Sequence, residues 1–415
     1  MDHQTETRNP KLETATYDVA IIGGGMVGAT LACALGGSKL RVAVVEPVAA
    51  PRHFPAGDFD IRVSAITRAT QNVFAAVGAW DGMLERRVQP YQAMHVWDAL
   101  GSGSIHFDCT ELGEPDLGHI VENRVILAAL LDRMGSFGNI DFLCPAGATG
   151  MQLGEDAAQL FLADGRTVEA KLLVGTDGTT SWVREQAGID TTGWAYDQSA
   201  VVATMKTSQH HQDAAWQRFL PSGPLAFLPL PGGYSSIVWS TGHERAEALC
   251  HMPASQFLDE LQLAFGDALG RMESVGPRGA YPLRLQHADA YVRPRLALAG
   301  NAAHTLHPLA GQGLNIGVLD AAALAEVLLG AGRRDVGSLP LLRRYERWRK
   351  GDNIAMLAAM DGFKRVFSND AAPLARLRSA GLALADRLGP VKNFFVRRGM
   401  GLAGDLPGLA RTPPP

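Results

Sequence analysis

YDVAIIGGGMVGATLACALGG, residues 17–37, decides the fold. Its first seven residues are mostly apolar and β-branched, the pattern of a parallel strand buried on both faces. A run of small residues then reads as a helix that ends at Gly36 and Gly37. RVAVVE, 41–46, is a second buried strand. Together they form a βαβ unit. At the first strand–helix junction stands Gly23-x-Gly25-x-x-Gly28. Gly23 permits the tight turn, Gly25 lets the backbone approach a pyrophosphate, and Gly28 lets helix and strand pack closely. The phosphates then meet free N–H groups at the helix N-terminus. Glu46 ends the second strand, where a carboxylate accepts hydrogen bonds from both hydroxyls of an adenosine ribose and repels a 2′-phosphate. This loop by itself fits FAD and NAD alike.

Outward from that unit, 68–80 and 123–134 read as helices and 171–178 as another buried strand entering a turn. The middle changes character. VVATMKT, WQRFLPSGPLAFLPLPGG and YSSIVWST, within 201–241, are short apolar runs broken by Gly and Pro, as in an antiparallel sheet. Strand–loop–helix language returns at 295–330, and the last 75 residues read as helical. The expected fold class is α/β: a discontinuous Rossmann-like FAD-binding domain, an inserted antiparallel-sheet substrate domain and a C-terminal helical region. The expected bounds are a disordered tail over 1–15, the FAD domain over 16–80, 118–190 and 290–340, the substrate domain over 81–117 and 191–289, and the helical region over 341–415.

The choice of FAD over NAD rests on GNAAHTLHPLAGQGLN, 300–315. An apolar strand, RLALAG, enters it and a helical pattern leaves it. FAD extends well beyond a pyrophosphate site, so its ribityl chain and ring need a second grip. A polar side chain at Asn301 meets ribityl or phosphate oxygens. Gly311 and Gly313 allow close backbone approach. The positive helix end near Gln312 to Asn315 stabilises negative charge on a reduced flavin.

GNAAHTLHPLAGQGLNIG resembles the second FAD motif of aromatic-ring hydroxylases of the para-hydroxybenzoate hydroxylase type, and within them the ubiquinone-biosynthesis hydroxylases. GTDGTTSWVR (175–184) is similar to their DG motif, which touches FAD and the NAD(P)H route. FDIRVSAITRATQNVFAAVGAW (59–80) and GHIVENRVILAALL (118–131) resemble two further family segments. One departure is Gly300-Asn301 where the family usually has Gly-Asp. The resemblance implies FAD contacts at Gly23, Gly25, Gly28, Glu46, Arg62, Arg124, Asp177 and Asn301, and backbone contacts from Pro308 through Gly311, Gln312, Gly313 and Leu314 to Asn315. For Arg62 and Arg124 the competing reading is an ion pair. For Asp177 it is a structural pair with Arg184.

No second GxGxxG and no CxxC occur. NAD(P)H is therefore expected as a transient reductant without its own Rossmann domain, and a redox disulfide is excluded. The resemblance implies hydroxylation of a polyprenylated phenol or benzoquinol by O2, through a flavin C4a-hydroperoxide. His304, His307 and Pro308 are the candidate catalytic residues. The HxxH spacing lacks a third ligand, so no metal is expected. Either histidine assists deprotonation of a phenol or only shapes the flavin pocket. Phe227, Leu228, Pro229 and Trp239 are candidate walls of the substrate site, or else ordinary core. Other readings are a hydroxylase of a soluble aromatic and a prenyl-lipid escort.

Bulk properties narrow the setting. The chain has 415 residues, 47% hydrophobic and 19% charged, with net charge −4, and nothing in that balance points to nucleic acid. Four scattered cysteines fit a reducing compartment. The polar N-terminus lacks an apolar signal region, and no apolar run is long enough to span a membrane. Residues 371–415 set seven Lys or Arg (Arg376, Arg378, Arg387, Lys392, Arg397, Arg398, Arg411) against Asp386 and Asp405, interspersed with leucine and phenylalanine. This reads as a basic amphipathic surface for an anionic membrane or a quinone-biosynthesis complex. The competing reading is a helical hairpin docked on the FAD domain. The expected location is the cytoplasm, peripheral at the inner membrane face.

Overall fold

The computed structural model describes residues 14–55, 57–101, 103–305, 312–367, 397, 399–402 and 404–411. The quoted βαβ unit forms strand Thr14–Ile22, helix Met26–Leu35 and strand Val42–Val45. The first strand starts before Tyr17, within the segment read as tail. Val19, Ala20 and Ile21 are completely buried, as residues of a parallel strand covered on both faces should be. Strand Thr167–Gly175 lies parallel on one side of Thr14–Ile22 and Val42–Val45 on the other. Leu296–Leu298 and Ile140–Leu143 extend the parallel order outward.

Register is the feature that builds the site. Ile22 sits opposite both Val45 and Gly175, and Gly175 sits opposite Leu298. Four strands separated by up to about 275 residues thus end in one row. The segments after them, at Gly23, Glu46, Thr176 and Ala299, leave the sheet side by side.

A second sheet is assembled from Met272–Ala288, Thr191–Thr207, Tyr234–Gly242, Gly223–Leu230, Ala214–Leu220, Ala93–Asp98 and Ser104–Asp108, in that spatial order. Residues 93–108 therefore share a sheet with 191–288. Strand Thr191–Thr207 is longer than the apolar run VVATMKT, because its first half is exposed and shows no hydrophobic signal. The strand His304–Thr305 pairs with Gln286 and His287 at the other edge, which ties the 300–305 loop to this sheet. Helices His243–His251 and Ala254–Phe265 cover one face through Leu249, Phe257, Leu261 and Phe265. Val63–Ile66, Gly118–Glu122 and Gln89–Tyr91 form a separate three-stranded sheet.

The helical stretch read over 68–80 is broken. Arg68–Ala76 stops, Gly78 turns the chain at φ +77°, and a new helix runs from Trp80 to Leu84. At the C-terminal end, helix Leu339–Phe367 matches the helical reading. Residues 399–411 fold back onto the α/β body. Ala69 donates to the Met400 carbonyl, Asn72 to Ala410, Trp348 to Asp405, and the Gly408 N–H to Glu326. For this stretch the docked reading holds, and Arg411 lies near Asp405. Residues 371–396, with Arg376, Arg378, Arg387 and Lys392, lie outside the described residues, as does Arg398.

Candidate active site

The first glycine loop has the backbone that its spacing requires. Gly23 adopts φ +104°, and a Cβ there would lie 2.7 Å from the Thr176 carbonyl oxygen. A Cβ on Gly28 would lie 2.0 Å from the Gly23 carbonyl oxygen. Gly25 differs: a Cβ on it would meet no protein atom within 4 Å. Gly25 is the N-cap of helix Met26–Leu35, which has no side-chain cap. An uncapped helix N-terminus beside open space is a cradle for an anion. The Thr176 hydroxyl donates toward the Gly23 carbonyl at 2.7 Å and pins the turn from the neighbouring strand. Glu46 reaches back to the loop, accepting from Gly24 N at 2.7 Å through one oxygen and from Val48 N at 3.1 Å through the other.

Gly300, and the helix that begins at Gln312, pack against this loop. Gly300 has φ +60°, and a Cβ on it would lie 3.0 Å from Val27 Cγ2. A Cβ on Gly317 would lie 2.8 Å from the same methyl. Val27 sits in the first loop's helix and Gly317 in helix Gln312–Leu329, so the two helices meet through glycine. Gly313 faces open space and Leu314 packs partly on the core. His307, Pro308 and Gly311 lie outside the described residues; Gln312 begins the helix. The Asn315 side chain is buried and ties this helix to the 63–67 segment, accepting from Thr67 N at 3.1 Å and donating to the Ala65 carbonyl at 2.8 Å.

The DG segment lies between the loops. Asp177 accepts from the Ser181 hydroxyl at 2.5 Å and Val183 N at 2.9 Å, so it organises the start of helix Trp182–Gln186. Arg184 is not its ion-pair partner. Its guanidinium donates to the Ala302 carbonyl at 2.8 Å and the Thr179 carbonyl at 3.0 Å, clamping the DG turn to the second loop. Thr179 also receives Asn301 Nδ2 at 3.5 Å, and Asn301 is otherwise exposed. Thr176, Thr179 and Arg184 are the contacts that sequence reading missed or misassigned, because single side-chain bonds between segments far apart in the chain leave no periodic trace.

Of the two arginines, Arg124 matches the ion-pair reading. It meets Asp58 at 2.8 Å and Glu122 at 3.1 Å and lies over the Phe54 ring. Burial pulls its pKa down, but Asp58 and Glu122 carry it above the usual arginine value. Arg62 is exposed and rests over the Tyr281 ring at 5.2 Å, spanning the two sheets.

His304 is buried, with Nε2 2.5 Å from Asp320. Asp320 also accepts from Gly300 N at 3.2 Å, Arg349 Nε at 3.0 Å and Asn353 Nδ2 at 3.1 Å. Burial pushes the Asp320 carboxyl up, yet His304 and Arg349 outweigh it and hold it at about 2. His304 therefore belongs to a charged cluster beneath the second loop. Its Nδ1 is buried without a partner.

These loops fit the cofactor on their own geometry: a side-chain-free cradle at Gly25, an uncapped helix, an acid at the end of the second strand, and a second glycine loop in contact with the first. A family model described as "FAD binding domain" matches residues 16–357. The chain is 42% identical over 402 residues to "Ubiquinone hydroxylase UbiL" of Rhodospirillum rubrum, covering 96% of this chain and 93% of that protein. It is 38% identical over 390 residues to "3-demethoxyubiquinol 3-hydroxylase" of Escherichia coli, covering 93% and 98%. The chain belongs to the FAD-dependent ubiquinone-hydroxylase family. In fold it is similar to the p-nitrophenol 4-monooxygenase PnpA of Pseudomonas putida, with TM-score 0.78 at 19% identity over 94% of this chain and 99% of that one.

This flavoprotein hydroxylase uses FAD, with NAD(P)H as the family's reductant. Its antiparallel sheet presents two different faces. Phe227 and Trp239 point into the core beneath Phe257 and Phe265, the ordinary-core alternative for both. Strand alternation puts Pro229 on the same face and Leu228 on the other. That other face carries Tyr234, Gly279 and Tyr281, which meet Phe59, Ile61 and Arg62 from the α/β body. An apolar run with hydrophobic residues on both sides gives no sign of which side faces the cofactor, so the sequence nominated residues from both.

Proposed function

We propose that this hydroxylase adds one oxygen atom to the ring of a polyprenylated phenol or benzoquinol during ubiquinone biosynthesis. The similarity along more than nine-tenths of the chain to relatives named for ubiquinone and demethoxyubiquinol carries this reading. Bound FAD would take two electrons from NAD(P)H and deliver one atom of O2 to the ring, the other leaving as water. Atoms balance as NAD(P)H, a proton, O2 and the arene giving NAD(P)+, water and the phenol. The protein's part is to hold the cofactor between Gly25 and the 300–315 loop, and to hold the ring against the sheet face that carries Leu228. That face is apolar around Val202, Ala226 and Val238, as a water-excluding wall should be.

The test is substrate-stimulated turnover. The purified yellow protein is expected to oxidise NAD(P)H faster when a short-chain prenylated phenol is added, with a product one oxygen atom heavier. Equal stimulation by soluble phenols lacking a prenyl tail would overturn the substrate class.

Because a prenylated ring resides in lipid, we infer peripheral contact with an anionic membrane. The basic composition of 371–398 supports it. No helix among the described residues is long and apolar enough to cross a membrane. At low salt the protein is expected to sediment with vesicles containing anionic phospholipid and to release at high salt. Protein that stays in the supernatant at low salt removes this part of the proposal.

A further inference from the structure

Thr204 and Ser236 face each other across neighbouring strands, Thr191–Thr207 and Tyr234–Gly242. Alternation places both on the sheet face opposite Val201, Ala203, Ile237 and Trp239, which lie in the helix-covered core. Their face is the one met by the 59–62 segment. Two residues before Ser236, Tyr234 packs on Phe59 with the rings tilted and their centroids 4.8 Å apart. Two residues before Thr204, Val202 pairs with Gly279, whose Cβ would lie 3.1 Å from Ile61 Cδ1. The two hydroxyls therefore lie on the cofactor side, next to Leu228, which pairs with Ser236.

Thr204 is 9% exposed and Ser236 1%. Neither hydroxyl oxygen has a hydrogen-bond partner. A buried hydroxyl without a partner costs free energy, and an apolar residue of equal size would fill the space without that cost. The sheet ladder is irregular here as well. Ala203 pairs with Arg278 and Met205 with Val275, so Gly276 and Pro277 stand opposite Thr204 alone. The bulge lies in strand Met272–Ala288 and interrupts the ladder opposite Thr204, and such bulges gather beside active sites.

We propose that the Thr204 and Ser236 hydroxyls form a hydrogen-bonding pair that recognises an oxygen substituent on the aromatic ring and so fixes which ring carbon faces the flavin. This rests on the reading of the substrate as an oxygenated prenyl arene. A hydroxyl both donates and accepts, so the pair serves a phenol or a ring ether. A site built to bond a substrate oxygen rejects the analogue that lacks it more strongly than an apolar pocket can discriminate.

The experiment uses the FAD-loaded protein and two probes, a short-chain prenylphenol and the matching prenylbenzene without its oxygen. Binding is read from perturbation of the flavin absorbance. The wild type is expected to bind the phenol about tenfold more tightly, and Thr204→Val with Ser236→Ala to abolish that preference, chiefly by weakening phenol binding. The double variant is also expected to keep its flavin and melt no lower than the wild type, since its partnerless hydroxyls are gone. Thr204→Ser, which keeps the hydroxyl, is expected to retain the preference. A double variant that still prefers the phenol by the wild-type ratio overturns the pair, as does a wild type that binds both probes equally. Product analysis is a separate readout: discriminating binding without a hydroxylated product would sink the proposed reaction and leave the recognition pair standing.

Discussion

Gly25→Ala apoprotein melts at nearly the wild-type temperature but purifies without colour. The expectation comes from a difference between glycines. A Cβ on Gly25 meets no protein atom within 4 Å, and Gly25 has φ −68° and ψ −175°, which alanine adopts without strain. The fold therefore makes no demand for glycine here beyond a modest N-cap preference, worth less than about 1 kcal/mol. What demands it is a pyrophosphate close to the helix N-terminus. A methyl in that space is expected to weaken FAD binding about 100-fold or more, close to 3 kcal/mol. Gly28→Ala is the contrast. Its Cβ would lie 2.0 Å from the Gly23 carbonyl and 2.6 Å from the Thr176 hydroxyl, so helix and strand must part. Both stability and colour should be lost. Thermal melting of apoprotein, with FAD titration followed by fluorescence quenching, distinguishes the two. A Gly25→Ala protein that retains wild-type FAD affinity would show that no phosphate sits at this loop.

Asp320→Asn should be among the most destabilising single changes to this chain. Asp320 is fully buried and receives Gly300 N, His304, Arg349 and Asn353 at once. Without its charge, Arg349 is a buried cation that has lost this partner, a situation that costs about 3–5 kcal/mol. Acid should have the same effect on the wild type. The carboxyl is held at about 2, against an ordinary value of 3.8. A depressed folded-state pKa means that its stabilisation is present above about pH 4 and lost as pH falls through about 2. The linked amount is about 2 kcal/mol. Urea unfolding of wild type and Asp320→Asn at stepped pH is the measurement. The gap between them should be widest near neutrality and shrink steadily below about pH 4. A gap that stays constant down to about pH 2 would remove the charge from the explanation.

The two loops were legible in the sequence to different depths. Gly23, Gly25 and Gly28 could be assigned separate jobs because the strand–turn–helix geometry of one βαβ unit sets each of them, although the atom that crowds Gly23 comes from Thr176. Glu46 was legible because it ends the next strand of the same unit. Arg124, Asp177 and Asn315 were also found, but the bonds their side chains make here hold protein to protein. A charged or amide group near a cofactor motif has the same signature whether it meets ligand or backbone. The competing pair of Asp177 with Arg184 does not form, and Arg184 instead clamps Ala302, a residue 118 positions away. The basic C-terminal segment carried both a membrane-surface and a docked reading, and residues 399–402 and 404–411 dock on helices Arg68–Ala76, Gln312–Leu329 and Leu339–Phe367 through single hydrogen bonds that no composition can announce.

By itself, the sequence determined the βαβ unit, the nucleotide loop, the need for a second grip on a long cofactor, and the antiparallel character of the middle. These follow from local sterics and from the periodicity of apolar residues, which act over a few positions. Only the tertiary structure decided that Ile22, Val45, Gly175 and Leu298 end in one row, that Val27 wedges against Gly300 and Gly317, and that Thr204 and Ser236 share the sheet face met by Phe59 and Ile61. Strand register and the choice of sheet face are set by packing between distant segments. That packing energy belongs to the assembled core and to no stretch of the chain alone.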